Sequence, residues 1–302
     1  MKNKQQSDDK TIMRAVFTLA LAGAFTLPLQ GCNDDVPVAE PYGEPAAAVR
    51  APVEELDATT KASVIRGGRL YDNWFTEGGK TEFAVENPMA KFMNGFSATS
   101  PIAPYADFAA LEKPDQYRCN TCHGYEYLGV EFYGGSIMNA ADNKTLEEIR
   151  SYIKDGFSLS FAGDTATVHN FGASTIAIAS RLTDADIADL ANFIKYGVLN
   201  VEEYFYSFAA IGNGDAGLGK TLYDGKAAGC KGCHGVDGKL KDFDPTSATE
   251  YVGTIGQDNP TEMLHKIRFG HAGSEMPSIY ESELTTESAV DIMTYTQQLS
   301  RQ

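Results

Sequence analysis

Two stretches decide how this chain folds: CNTCH at Cys119–His123 and CKGCH at Cys230–His234. In each stretch two cysteines stand three positions apart, and a histidine follows the second cysteine directly. The chain of 302 residues contains five cysteines, and these stretches account for four of them. A pattern this specific is hard to obtain twice by chance, so it predicts two equivalent sites.

The spacing C-x-x-C-H is typical of covalent attachment of a c-type haem. Two thiols on the start of one helix can reach both vinyl groups of a porphyrin, and the next histidine then lies under the iron. We therefore expect two covalently bound haem c groups. Zinc is the alternative, but a site of four cysteines, or of two cysteines and two histidines, would need converging pairs, and these pairs lie over a hundred residues apart. The expected haem-binding residues are Cys119, Cys122 and His123 in one site and Cys230, Cys233 and His234 in the other.

The sequence around the two motifs is a divergent repeat. GGRLYD at 67–72 precedes the first motif, and GKTLYD at 219–224 precedes the second. Each copy closes with a helix whose predicted N-cap is a threonine, Thr183 or Thr285, because threonine followed by acidic residues is typical of a helix start. We divide the chain into a signal peptide (1–31), a flexible tether (32–60), a first copy (61–199) with an insertion at about 74–115, a linker (200–213) and a second copy (214–302).

An opening helix, C-x-x-C-H, a distal methionine and a closing helix that bears an aromatic residue together resemble the class I cytochrome c fold. The resemblance covers nearly all of the second copy, from Gly214 to Leu299; the first copy departs from it in the insertion and in the distal segment. It implies an all-α fold of two tandem cytochrome c-like domains, each with a few helices around one covalent haem. The first and last helices would cross at Gly219, Tyr223 and Tyr295.

The sixth iron ligand differs between the copies. Met276 lies 42 residues after His234, within GSEMP at 273–277, and looks like the family's distal methionine, with His265 and His271 as rivals. The first copy has no methionine at the matching place, but His169 lies 46 residues after His123. Met138, Met89 and Met93 are the alternatives there. The predicted iron ligands are therefore His123 and His169 in the first copy, and His234 and Met276 in the second.

The N-terminus indicates export and lipid anchoring. A basic segment ends at Arg14, and an apolar stretch of fifteen residues, Ala15–Leu29, follows it. That stretch has the length of a signal peptide and is short for a bilayer span. Gly31 then precedes Cys32, which resembles the lipobox of bacterial lipoproteins and implies lipidation at Cys32; an ordinary signal peptide with a free cysteine is the alternative. The protein would face the periplasm or the cell exterior.

The net negative charge of the chain excludes some classes of binding partner. The formal net charge is −16, and the segment before Cys32 is itself basic, so the remainder is more acidic still. An acidic surface argues against nucleic acid as a partner. We expect an electron carrier, not an enzyme, that is attached to a membrane by its lipid and passes electrons between redox proteins. A diheme cytochrome c peroxidase and a cytochrome subunit of a larger membrane oxidoreductase are the alternatives.

Overall fold

The computed structural model describes residues 50–80, 115–129, 136–161, 164–172, 182–206, 211–243 and 250–301; for residues 159–161 and 164–168 it describes only the backbone. The predicted signal peptide, Cys32 and most of the predicted insertion, with Met89 and Met93, lie outside these residues. Ten α-helices are described: α1 (Ala58–Glu77), α2 (Cys119–His123), α3 (Ile137–Asn143), α4 (Leu146–Asp155), α5 (Asp184–Asn192), α6 (Ala216–Asp224), α7 (Cys230–His234), α8 (Val252–Asp258), α9 (Pro260–Phe269) and α10 (Thr286–Thr296).

The first helix begins earlier than the sequence predicts. Asp57 caps α1 by accepting hydrogen bonds from the backbone N–H groups of Thr59 and Thr60, which satisfies donors that the first turn leaves unpaired. Val53, in a short 3-10 helix before it, is only 2% exposed. The last part of the predicted tether, from about residue 50 to 60, therefore belongs to the folded part of the chain.

The closing helices begin at the predicted threonines. The Thr183 hydroxyl accepts from the N–H of Asp186 at 3.1 Å, and the Asp186 carboxylate accepts in return from the Thr183 N–H. Thr285 caps α10 in the same way, accepting from the N–H of Ser288 at 3.3 Å. After Asn192, α5 continues as one turn of π-helix, Phe193–Gly197.

In each copy the opening helix crosses the closing helix at a glycine. A Cβ atom on Gly67 would lie 2.1 Å from the backbone oxygen of Asp189, and one on Gly219 would lie 1.9 Å from that of Asp291. Side chains larger than hydrogen would therefore push the helices apart. One turn further on, Tyr223 packs against Tyr295 with ring centres 5.3 Å apart, so the crossing expected in the second copy is present.

The all-α prediction is confirmed, with one small exception. An antiparallel hairpin of β1 (Phe157–Phe161) and β2 (Asp164–Val168) follows α4, in a register that pairs Phe157 with Val168. None of the described helices combines the length and the apolar character that crossing a bilayer requires.

The two copies pack together within one compact unit, residues 46–302. Helix α9 of the second copy lies against α1 of the first, so closely that a Cβ on Gly68 would meet the Phe269 ring at 2.4 Å. The predicted linker contains a 3-10 helix, Val201–Tyr204, and a single bridge between Phe205 and Gly212. Its aromatic side chains differ, since Tyr204 is half-buried whereas Tyr206 is 75% exposed.

Candidate haem-binding sites

Each C-x-x-C-H motif forms one short helix, α2 or α7, that begins at the first cysteine and ends at the histidine. Residues three apart on a helix share a face, so both thiols of a motif point to the same side. Each helix is followed by a glycine with positive φ, 66° at Gly124 and 79° at Gly235. Glycine adopts this conformation without strain, and it turns the chain sharply after the histidine.

A buried tyrosine holds that turn in both copies. The Tyr71 hydroxyl donates to the carbonyl of Gly124 at 2.5 Å, and the Tyr223 hydroxyl donates to the carbonyl of Gly235 at 2.9 Å. The sequence marks both tyrosines as repeated positions but does not reveal this bond. The signal that could have found it is the repeated L-Y-D before each motif, together with the glycine that follows each histidine.

Three of the motif thiols, those of Cys119, Cys122 and Cys230, are protected from ionisation. Burial raises the pKa of Cys119 and of Cys122 to about 12, and that of Cys230 to about 11. All four motif cysteines are free of disulfides. Protonated thiols are poor nucleophiles and poor metal ligands, so the surroundings suit sulfur atoms held in covalent thioethers better than a thiolate site.

The structure brings His123 and His169 together, as the spacing predicted. Their ring centres lie 5.7 Å apart with 38° between the planes. Two imidazoles that share one metal ion, with about 2 Å for each metal–nitrogen bond, have ring centres roughly 6 Å apart. His169 has a positive φ of 69°, an unusual backbone for a residue with a side chain. Such strain is typical of functional positions.

The surroundings of His169 and His234 favour the neutral imidazole, which is the form that binds metals. Burial lowers the pKa of His169 to about 3, and the neighbouring His123 lowers it further. Burial also lowers the pKa of His234, with a contribution from Lys241. Within the described part of the chain, the buried Nδ1 atoms of His169 and His234 have no hydrogen-bond partner. Such orphaned polar atoms require an explanation, which a bound group would supply.

Aromatic and aliphatic side chains surround both sites. In the first, Phe157 packs edge-on against His169 at 5.3 Å, and Phe171 stacks parallel to it at 6.4 Å. In the second, Phe243 lies 5.7 Å from His234. The second motif is followed by two large apolar side chains that are exposed, Val236 at 62% and Leu240 at 68%.

Met276 lies in the segment after α9 and is half-buried. Its backbone carbonyl faces Arg69 of the first copy. Among the described contacts, none joins its side chain to His234, so Met276 as an iron ligand stays a prediction.

The rival ligands have other partners. His265 is buried, its Nε2–H donates to the carbonyl of Gly68 at 3.0 Å, and its Nδ1 accepts from the Tyr127 hydroxyl at 2.7 Å. Both ring nitrogens are thus engaged between the copies. His271 is exposed, and Met138 packs in α3 at the edge of the core.

The comparison with protein families agrees with this geometry. The cytochrome c family model matches residues 114–197, which contain the first motif, His169 and the closing helix α5. Residues 114–197 are a cytochrome c domain. Among solved structures, a chain of the reducing HAO-like protein complex of Kuenenia stuttgartiensis is 17% identical, covering 72% of this chain and 99% of that one. The TM-score is 0.23, so this likeness carries no argument. The comparison with curated proteins gives no match.

A cytochrome c domain carries covalently bound haem c, and the residues present fit that group: paired thiols on one helix face, a histidine beside them and orphaned imidazole nitrogens. The chain is therefore a haem c protein of an extracytoplasmic compartment. When bound, haem c supplies one-electron iron chemistry. In the cytochrome c domain, Cys119, Cys122 and His123 would hold the group.

Proposed function

We propose that the protein is an electron carrier with two covalently bound haem c groups, one in each copy. The observation that carries the proposal is the pair of matched hydrogen bonds, Tyr71 to Gly124 and Tyr223 to Gly235. The contacts around the second motif thus resemble those around the first, and the helix crossing at Gly219 resembles the one at Gly67. Cys230, Cys233 and His234 would hold the haem of the second copy.

The two sites would differ in their axial ligands. In the first, His169 faces His123 at a separation that suits one iron between them. In the second, His234 and Met276 would be the ligands. Methionine in place of histidine raises a haem's reduction potential. The haem of the first site would therefore have the lower reduction potential and the haem of the second site the higher.

Two ligands on each iron favour a carrier over an enzyme, because a substrate needs an open position. His169, which packs against Phe157 and Phe171, supports this for the first site. A diheme peroxidase and a subunit of a membrane oxidoreductase are the alternatives, and binding of small ligands to the first haem distinguishes an enzyme from a carrier. A native protein whose first haem binds carbon monoxide or peroxide would favour an enzyme.

The proposal includes attachment to a membrane. Cys32 would carry the lipid, and the tether would let the folded part stand away from the membrane. Several acyl chains hold a protein durably where one does not, at about 0.8 kcal/mol per buried methylene. Redox proteins, and not nucleic acid, would be its partners.

Haem stoichiometry tests the central claim. We expect the purified protein to retain two haems per chain after acid–acetone extraction, as measured by mass. Cys230→Ser with Cys233→Ser should leave one haem, as should the matched pair Cys119→Ser with Cys122→Ser. A wild-type mass that fits a single haem would contradict the proposal, and an unchanged mass in the second-copy variant would exclude Cys230 and Cys233 as attachment points.

A further inference from the structure

The segment that carries Met276 is held by the other copy. We call residues 270–277, between α9 and the 3-10 helix Ile279–Ser282, the distal loop. Arg69, on α1 of the first copy, donates from Nε to the carbonyl of Phe269 at 2.8 Å. Its Nη2 lies 3.5 Å from the carbonyl oxygen of Met276 and 3.6 Å from a carboxylate oxygen of Glu281. One guanidinium therefore contacts both ends of the loop.

A second contact holds the middle of the distal loop. The carboxylate of Glu77, at the end of α1, accepts from the N–H of Gly273 at 2.9 Å. Gly273 has a φ of 65°, and a Cβ there would meet Thr76 at 2.2 Å. The loop thus touches α1 along the C-terminal half of that helix.

The contacts of the distal loop within its own copy have a different effect. The Ser274 hydroxyl donates to the carbonyl of His271 at 3.0 Å and accepts from the N–H of Met276 at 3.2 Å. Ser278, just beyond the loop, donates to the carbonyl of Arg268. These bonds set the internal turn of the loop and anchor its far end. The side-chain contacts that fix where the turn lies come from Arg69 and Glu77.

We propose that Arg69 and Glu77 of the first copy position the distal loop of the second, and so control how firmly Met276 binds the second iron. This inference rests on the proposed function, in which Met276 is a ligand. A hydrogen bond from a charged group is about twice as strong as a neutral one, and outer contacts of this kind orient metal ligands and alter affinity about ten- to a hundredfold. Neither residue would touch the haem, so both are positioning residues.

The variants Arg69→Met and Glu77→Ala remove the two contacts separately. Arg66→Met is the matched control for the first, because Arg66 lies on the same helix but pairs with Asp186 and Asp189 of its own copy. Glu77→Gln is the control for the second, since its amide oxygen can still accept from Gly273. Three readouts apply to each holoprotein: the methionine–iron charge-transfer absorption at the red edge of the visible spectrum, imidazole binding to ferric haem, and amide hydrogen exchange in residues 270–277.

We expect Arg69→Met and Glu77→Ala to weaken the charge-transfer absorption, speed exchange in the distal loop and tighten imidazole binding by about ten- to a hundredfold. The two controls should match the wild type. Unchanged imidazole binding and exchange in both variants would overturn the proposal, and so would equal changes in Arg66→Met, which would mark a general loss of stability. A wild-type protein without the absorption would overturn the Met276 assignment before any variant is compared.

Discussion

The hydroxyl of Tyr127, in the first copy, donates to Nδ1 of His265, in the second, at 2.7 Å. Tyr127 stands four residues after His123 and has a positive φ of 63°. The imidazole is enclosed by rings of the first copy, with Tyr71 at 5.7 Å and Phe193 at 5.8 Å. A side chain of the second copy thus completes the core of the first, next to its haem motif.

This histidine predicts a pH dependence of stability. Burial lowers the pKa of His265 to about 4 from 6.5, and Arg268 and Lys266 lower it further, while Asp72 and the Gly68 carbonyl oppose them. Because the pKa of His265 is lower in the folded than in the unfolded protein, the neutral imidazole's contribution to the free energy of unfolding is fully present above pH 6.5. It is lost as the pH falls towards 4, and it amounts to about 3 kcal/mol.

Urea unfolding between pH 7 and pH 4 measures this loss. His265→Gln, which can donate and accept but does not titrate in this range, should flatten the dependence. His271→Gln, in which an exposed ring is replaced, should keep most of it. An unaltered slope in His265→Gln would show that other groups cause the acid sensitivity.

Because Tyr71 and Tyr223 make the same hydrogen bond in the two copies, we expect removal of either hydroxyl to reduce stability by a similar amount. Tyr71→Phe and Tyr223→Phe each leave a glycine carbonyl without its donor, so each should lower the free energy of unfolding by about 1 kcal/mol. Tyr206→Phe, at a position 75% exposed, should have no measurable effect. Chemical denaturation of the holoprotein checks all three, and a neutral result at either buried tyrosine would mean that water replaces the lost donor.

The helix crossing in the second copy predicts an asymmetry between two glycines. Gly219→Ala would place a Cβ 1.9 Å from the Asp291 oxygen, so it should destabilise the protein by about 1–3 kcal/mol. Gly232→Ala, on α7, meets nothing within 4 Å and should be neutral or stabilise by up to about 1 kcal/mol. Thermal unfolding distinguishes them, and equal effects would contradict the close crossing.

Ligand exchange tests the proposed iron ligands. His169→Ala should open the first iron to carbon monoxide, which the native protein should not bind. Met276→His should abolish the methionine–iron absorption and lower the potential of the second haem, because imidazole favours ferric iron more than a thioether does. His169→Met should raise the potential of the first haem. Native carbon monoxide binding at the first haem would contradict the assignment of His169.

Lipidation makes a separate prediction at Cys32. Cys32→Ser should move the protein from the membrane to the soluble periplasmic fraction, because the acyl chains would have no attachment point. Cell fractionation followed by blotting measures this, with the unaltered chain as the control. Membrane association that survives the substitution would place the anchor elsewhere.

Local features of the fold could be predicted because each is determined by a short stretch of sequence. The motif helices, the threonine caps and the glycine crossing each depend on residues a few positions apart or on a repeated pattern. The proximity of His123 and His169 was also predictable, since the repeat supplied a matching place in the second copy.

The packing between the copies was not predictable in this way. The sequence pattern of an apolar helix face is the same whether that face packs against a haem or against another helix. The sequence of α9 therefore does not indicate which element it contacts. Arg268, on α9, illustrates this, because charged side chains ordinarily stay in solvent. The structure instead buries it, with bonds to the Tyr280 hydroxyl at 2.8 Å and the Gly197 carbonyl at 2.7 Å.

The place of α9 in the first copy's core has a consequence for the order of assembly. Chains are made from the N-terminus, and domains generally fold as they emerge. The core of the first copy around Tyr71 and Phe193 is incomplete until His265 and Phe269, almost two hundred residues after Tyr71, have emerged on the extracytoplasmic side. Cys119 and Cys122 therefore stay in an unfinished, accessible setting while the chain between them and α9 is completed. That delay would leave time for haem to be attached to both thiols before the protein has packed around them.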